Sequence, residues 1–183
     1  MPVHADTADR AYAKPYVYSD CTIEQANGDL EAPLLYEDVR MADMLECIGL
    51  GHHPRLAIEQ SYKTSKEAWT IWTRDYRMVG SFGVAPSPKP NVGVIWLLGT
   101  YRMHLIRKTF IKHSKDWVSR LMDEYDAVTN LVCKENELSV RWLTWLGAVW
   151  TDVGIENYQQ FTVYKSERTS SSSADSLKQQ LLN

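Results

Sequence analysis

The chain has 183 residues, 44% of them hydrophobic, which suits one domain with a sizeable core. Its 20 basic and 23 acidic residues leave a net charge of −3, which gives no electrostatic case for direct binding to nucleic acid or an anionic membrane. No run approaches the ~18 apolar residues that span a bilayer, and the N-terminus, MPVHADTADRAYAK, has no apolar signal core.

Synthesis in a cytoplasm, without export by the standard route, is therefore the expectation. Cys21, Cys47 and Cys133 lie far apart and are odd in number, so they read as free thiols rather than a disulfide frame or a metal site. Seven Trp and ten Tyr against three Phe suit interfaces as well as a core.

In chain order, residues 1–20 are polar with scattered Tyr and read as an extended N-terminal arm. Residues 21–26 (CTIEQA) read as a first strand, and Asn27-Gly28-Asp29 as a turn. Leu30 to Ile48 has a helical pattern with a break near Glu37, stopped by Gly49 and Gly51. Pro54 opens a short helix to about Tyr62. A three-strand meander follows: Ala68–Thr73, Tyr76–Val84 with a bulge marked by Gly80 or Gly83, and the nearly all-apolar Val92–Leu98. Met103 to Tyr125 is the longest helix expected, with Ile106, Phe110, Trp117, Leu121 and Tyr125 as its apolar stripe.

Asp126 to Trp150 is dense in signals. Ala127 to Cys133 reads as a buried strand, and Asn136 can cap the helix that carries Leu138, Arg141, Trp142, Trp145 and Leu146. Trp145 faces either the core or an interface. Gly147 suits the left-handed residue that ends a helix, and Ala148 to Trp150 restarts a strand. Tyr158 to Tyr164 gives the last one. The order predicts a mixed α/β (α+β) domain over 21–165, helices flanking a largely antiparallel sheet. Residues 166–183, beginning SERTSSSSADS, read as a Ser-rich flexible tail.

Few residues suggest chemistry. His52-His53 has no partner at ligand spacing, so no metal site is expected. His104 and His113, nine residues apart, point to opposite sides of a helix. Cys47 and Cys133 sit in apolar surroundings that raise a thiol pKa, and Asp123, Glu124 and Asp126 read as a solvated helix end. One junction stands out: the strand ending at Leu98 feeds a helix through GTYRMHLIRK. A helix N-terminus can hold phosphate, and Gly99, Arg102 and Arg107 lie there, though the neighbours are bulky.

TIEQANGD (Thr22–Asp29), the capping Asn136 and the closing Gly147 resemble the GNAT fold of acyl-CoA-dependent N-acetyltransferases. That resemblance implies a cofactor site drawn from Leu98, Gly99, Thr100, Arg102, Arg107 and Asn136, with acetyl-CoA as the cofactor. Two features of active members are missing. The glycine-rich loop does not occur between Gly99 and Arg107, and Leu143 stands where the general-acid Tyr is expected.

The segments ECIGLGHHP (Glu46–Pro54), YRMVGSFG (Tyr76–Gly83), EYDAVTNLV (Glu124–Val132), RWLTWLGAVW (Arg141–Trp150) and FTVYK (Phe161–Lys165) resemble the GNAT-like internal virion (core) proteins of short-tailed bacteriophages. This second resemblance implies a non-catalytic virion protein of the head interior or genome-ejection apparatus. It would have no cofactor and no catalytic residue, would be made in the host cytoplasm, and would have other phage virion proteins as partners. The competing expectation is an active acetyl-CoA-dependent N-acyltransferase that modifies a host or phage protein.

Overall fold

The strand Met78–Pro86, buried at every position from Met78 to Ala85, lies at the centre of a sheet covered on both faces. In the computed structural model, which describes residues 13–165, the strands are β1 (Tyr16–Val17), β2 (Cys21–Gln25), β3 (Glu67–Thr73), β4 (Met78–Pro86), β5 (Val92–Gly99), β6 (Ala127–Cys133), β7 (Val149–Thr151) and β8 (Tyr158–Tyr164). They form one eight-stranded sheet in the order β1-β2-β3-β4-β5-β6-β8-β7. Every neighbouring pair is antiparallel except β5 and β6. The helices are α1 (Gly28–Asp38), α2 (Met41–Gly49), α3 (Pro54–Thr64), α4 (Arg107–Leu121) and α5 (Glu137–Trp145). None is long and apolar enough to cross a membrane.

One face of the sheet carries the main core. Trp69, Ile71, Phe82, Val84, Ile95, Val128, Phe161 and Val163 are buried there with Trp117, Val118 and Leu121 of α4 and Leu143 of α5. Phe82 stacks on Trp117 with ring centroids 5.7 Å apart, a contact of about 0.5–1.5 kcal/mol beyond area burial. The opposite face packs Ala32 and Leu35 of α1 and Ile58 of α3 against Met78, with Tyr62, Trp72 and Leu98 at the margin.

Most expected elements form, and the differences have local causes. Residues 13–20 are not wholly an outlying arm: β1 pairs with β2, and Tyr16 and Tyr18 pack against the main core. The helical stretch expected over 30–48 with a break near Glu37 is two helices, and the break falls at Val39 and Arg40. Val39 forms a bridge with Thr100, and Arg40 N–H donates to Gly99 C=O at 2.8 Å, so both leave the helical path. The bulge in the meander is real: Ile71 pairs with Gly80 and Trp72 with Met78, leaving Val79 as the extra residue.

The helix expected from Met103 begins instead as a 3-10 segment, Tyr101–Ile106, and turns α-helical only at Arg107. Tyr125 lies beyond its end. Trp145 is not in the core. It is 43% exposed, and Lys115 Nζ sits 4.3 Å from its ring centroid. The Ser-rich tail and the first twelve residues lie outside the described residues.

A polar cluster sits under α1. Tyr62 Oη donates to Ser81 Oγ at 2.6 Å, and Ser81 Oγ lies 2.9 Å from Thr70 Oγ1. Glu31 is buried beside it, with Oε2 lacking a hydrogen-bond partner. Burial raises its carboxyl pKa from 4.5 to about 7, against opposing hydrogen bonds from the Asn27 backbone and Thr70. The folded pKa exceeds the unfolded one, so the folded state holds the proton more tightly. Glu31 therefore weakens stability progressively as pH rises from 4.5 to about 7. Glu31→Gln should stabilise the protein at pH 8 by up to ~3 kcal/mol and by far less at pH 4.5, measured by urea unfolding at both pH values.

Candidate active site

β5 and β6 are the one parallel pair, and they pair over only three positions: Val92–Ala127, Gly93–Val128 and Val94–Thr129. Asn130 ends the ladder. Its Nδ2 donates to Ile95 C=O at 2.7 Å, and its Oδ1 accepts the next backbone N–H in its own strand, from Leu131, at 2.8 Å. One side-chain amide thus takes the place of a main-chain partner on both strands. Beyond it the strands splay.

The splay leaves part of the β5 edge open. Thr100 N–H donates to Val79 C=O at 2.8 Å, and Ser87 N–H to Val92 C=O at 3.3 Å. These bonds turn the even-numbered β5 residues toward β4, and strand alternation turns Ile95, Leu97 and Gly99 toward β6. Asn130 caps Ile95. Gly99 N–H donates to Asp43 Oδ2 at 2.8 Å, and Gly99 C=O accepts from Arg40 N–H. Between these two capped positions, the N–H and C=O of Leu97 face the gap.

Helix α2 lies across the open end. Asp43 and Glu46, three residues apart, share one side of it. Asp43 holds the end of β5 and is gripped by Arg40 Nε at 3.0 Å and a second guanidinium nitrogen at 2.7 Å. Glu46 holds the end of β6, where its Oε1 accepts from Cys133 N–H at 3.1 Å and Asn136 Nδ2 at 2.9 Å. Burial raises the Glu46 pKa, and these two hydrogen bonds oppose the rise. The two carboxylates face a cleft of about 840 Å³ between α2, α3 and the splayed strands, whose lining includes Cys47, His52, Glu59, Asn130 and Trp142.

The residues expected to hold a cofactor are all located. Leu98 packs at the margin of the α1–α3 cluster. Gly99 is buried between α2 and the 3-10 segment. An added Cβ would meet Met103 Cγ at 2.7 Å and Arg40 Nε at 3.0 Å, so a larger residue would have to displace these side chains. Thr100 is fully buried, donates to Met78 and Val79 carbonyls, and accepts from Arg102 N–H at 3.2 Å. Arg102 pairs with Asp38 at 2.7 Å and lies over the Tyr101 ring. Asn136 caps α5 through Ser139 N–H at 3.3 Å while its Nδ2 serves Glu46. Arg107 is exposed at the start of α4, on a surface shared with Lys108, Lys112 and Lys115. Most groups of the junction are thus engaged by the chain itself, and the open chemistry lies at the gap.

The remaining candidates fall as follows. His52 and His53 line the cleft, and no metal-binding cluster exists among the described residues. His113 lies tilted against Tyr18, with ring centroids 4.6 Å apart. Burial pushes the Cys21 thiol up to about 12 and raises Cys47. Glu124 pairs with Lys66. Leu143 is buried and apolar, so this position supplies no proton. Sequence reasoning missed Asn130, Asp43, Glu46 and the Leu97 edge. The one signal available for Asn130 was a polar residue amid the apolar strand AVTNLVC.

No protein-family model and no curated protein matches the chain. Solved structures do match. An acetyltransferase of the GNAT family from Bacillus anthracis aligns over 85% of this chain and 99% of its own, at 12% identity and TM-score 0.57. A ribosomal-protein-S5-alanine acetyltransferase from Vibrio fischeri aligns over 85% and 98%, at 9% identity and TM-score 0.55. A spermidine N-acetyltransferase chimera involving Vibrio cholerae aligns over 81% and 98%, at 11% identity and TM-score 0.57. The chain has the GNAT acetyltransferase fold, a mixed α/β domain around an open, mostly antiparallel sheet.

The expectation of a non-catalytic phage virion protein is corrected here. The structures that share the fold are acetyltransferases, and nothing found supports a role in a virion or in genome ejection.

Asn130→Ala would leave Ile95 C=O and Leu131 N–H without their present partners. Urea unfolding should show a loss of about 1–3 kcal/mol; no measurable loss would contradict its role in ending the ladder.

Proposed function

We propose that the chain is an acyl-CoA-dependent N-acyltransferase, with a short-chain acyl-CoA of the acetyl-CoA class as donor and an amine as acceptor. The observation that carries this reading is the open Leu97 edge in the splay. An extended ligand bearing amides can bind such an edge as an added strand, and the pantetheine arm of CoA is one. The residues fit the arm better than they fit a backbone phosphate cradle. Arg102 N–H and Met103 N–H are both taken by Thr100. The phosphates would meet exposed side chains instead, chiefly Arg107, Lys108 and Lys112.

When bound there, acyl-CoA supplies an activated thioester whose acyl group passes to the amine as the C–S bond breaks. The chain's own residues do the rest. Glu46 lines the cleft on the α2 side, and both of its hydrogen bonds fall on Oε1. Oε2 keeps acceptor capacity for the proton that an ammonium must lose before its nitrogen forms the new N–C bond. A carboxylate with a raised pKa is a better base for that step. Asn136 and Cys133 N–H fix its position. Leu143 cannot donate, so the departing thiolate takes its proton from water.

Thiol release from acetyl-CoA, measured with spermidine and with peptides bearing free N-termini, tests the reading. Turnover is expected with at least one acceptor. Glu46→Gln should lower kcat by about 10²–10⁴-fold with little change in the KM for acetyl-CoA. Wild-type turnover in that variant would remove Glu46 as the base. Absence of both turnover and acetyl-CoA binding would overturn the function.

A further inference from the structure

A second cavity lies behind the gap, on the α4–α5 face of the sheet. It has a volume of about 50 Å³ and is lined by Phe82, Ile95, Leu97, Trp117, Val118 and Val128, among others. Its position is set by the strands. Along β5 the order runs from Gly99 at the mouth, past the open Leu97 edge, to Ile95 at the vertex where Asn130 ends the ladder. Ile95, Leu97, Trp142, Leu143 and Phe161 border both this cavity and the cleft, so the two spaces adjoin at the splay.

The cavity's polar wall atoms are already engaged. Ser114 is buried, and its Oγ accepts from Trp142 Nε1 at 3.0 Å. Trp96 Nε1 is turned away to Ser65 Oγ at 2.8 Å. Phe110 and Trp142, with centroids 5.2 Å apart, close the space between α4 and α5. What remains is apolar surface. A cavity of ~150 Å³ takes a benzene ring and a water needs ~10–15 Å³, so this one suits roughly two carbons.

We infer that the donor's acyl group is longer than acetyl, a propionyl or butyryl chain whose terminal carbons enter this apolar cavity. The inference rests on the acyl-CoA reading above. A thioester running along the Leu97 edge brings its carbonyl to the vertex, and the chain beyond the carbonyl continues into the cavity. Burial of each methylene then adds affinity, and chains that outgrow the cavity lose it. Val118, on α4, is one of the buried residues that line the cavity.

Titration calorimetry with free CoA and with acetyl-, propionyl-, butyryl- and octanoyl-CoA tests this without knowledge of the acceptor. Affinity should rise about fourfold per methylene from acetyl to butyryl and fall at octanoyl. Val118→Phe should abolish the rise, and the milder Val118→Leu should reduce it, with near-UV circular dichroism checking that each variant is folded. Equal affinity for acetyl- and butyryl-CoA would overturn the inference and leave the acyl-CoA reading intact. So would a gain that continues to octanoyl, or one that survives both substitutions in folded protein. Failure of CoA and all four thioesters to bind would overturn the acyl-CoA reading itself, and the inference with it.

Discussion

The structure turns on one side-chain amide. Asn130 caps Ile95 C=O and the next N–H of its own strand, and so ends the parallel β5–β6 ladder after three positions. Backbone groups inside a protein must find partners, so two strands cannot part without something to satisfy the groups they release. Asn130 does this at the vertex; Asp43 and Arg40 do it at the mouth, on Gly99. Between them the Leu97 edge faces a cleft of about 840 Å³. The gap is thus held open by specific bonds at both ends.

The break at Val39 and Arg40 belongs to the same arrangement. Had the chain stayed helical from Leu30 to Ile48, α2 could not turn across the ends of β5 and β6. The turn brings Asp43 to one strand and Glu46 to the other, one helical turn apart. A buried carboxylate is costly unless it is hydrogen-bonded, and each of these two is bonded to the strand end it faces. The same burial raises the Glu46 pKa and leaves a carboxylate facing the cleft. Anchoring of the β6 end and the capacity to take a proton therefore reside in one side chain.

Much of the fold was legible because it rests on local rules. Asn136 caps α5, Gly147 takes φ +90 after it, and Tyr158–Tyr164 forms the last strand, as expected. The site was less legible because it depends on which strands meet. Asn130 reads in sequence as a polar interruption of a strand, and its role exists only once Ile95 lies opposite. Glu46 stands in sequence only at the head of ECIGLGHHP, with no partner in view. The junction from Leu98 to Arg107 was found, but pattern could not reveal that Thr100 and Asp38 already occupy its donors. For Trp145 the helical spacing left core and interface open, and α5 turns that position outward to Lys115.

Two chemically different surfaces meet at the vertex of the splay. The α2–α3 side is carboxylate-lined, and the α4–α5 side is apolar inside and basic outside. That division suits a reaction in which an amine and an acylated, phosphate-bearing donor arrive from opposite faces. The most direct measurement is residue-resolved amide hydrogen exchange by NMR, with and without acetyl-CoA. The account predicts that the Leu97 amide, exposed to the gap, becomes protected on binding, while the Gly99 amide, already bonded to Asp43, changes little. Unchanged exchange at Leu97 under saturating acetyl-CoA would contradict it.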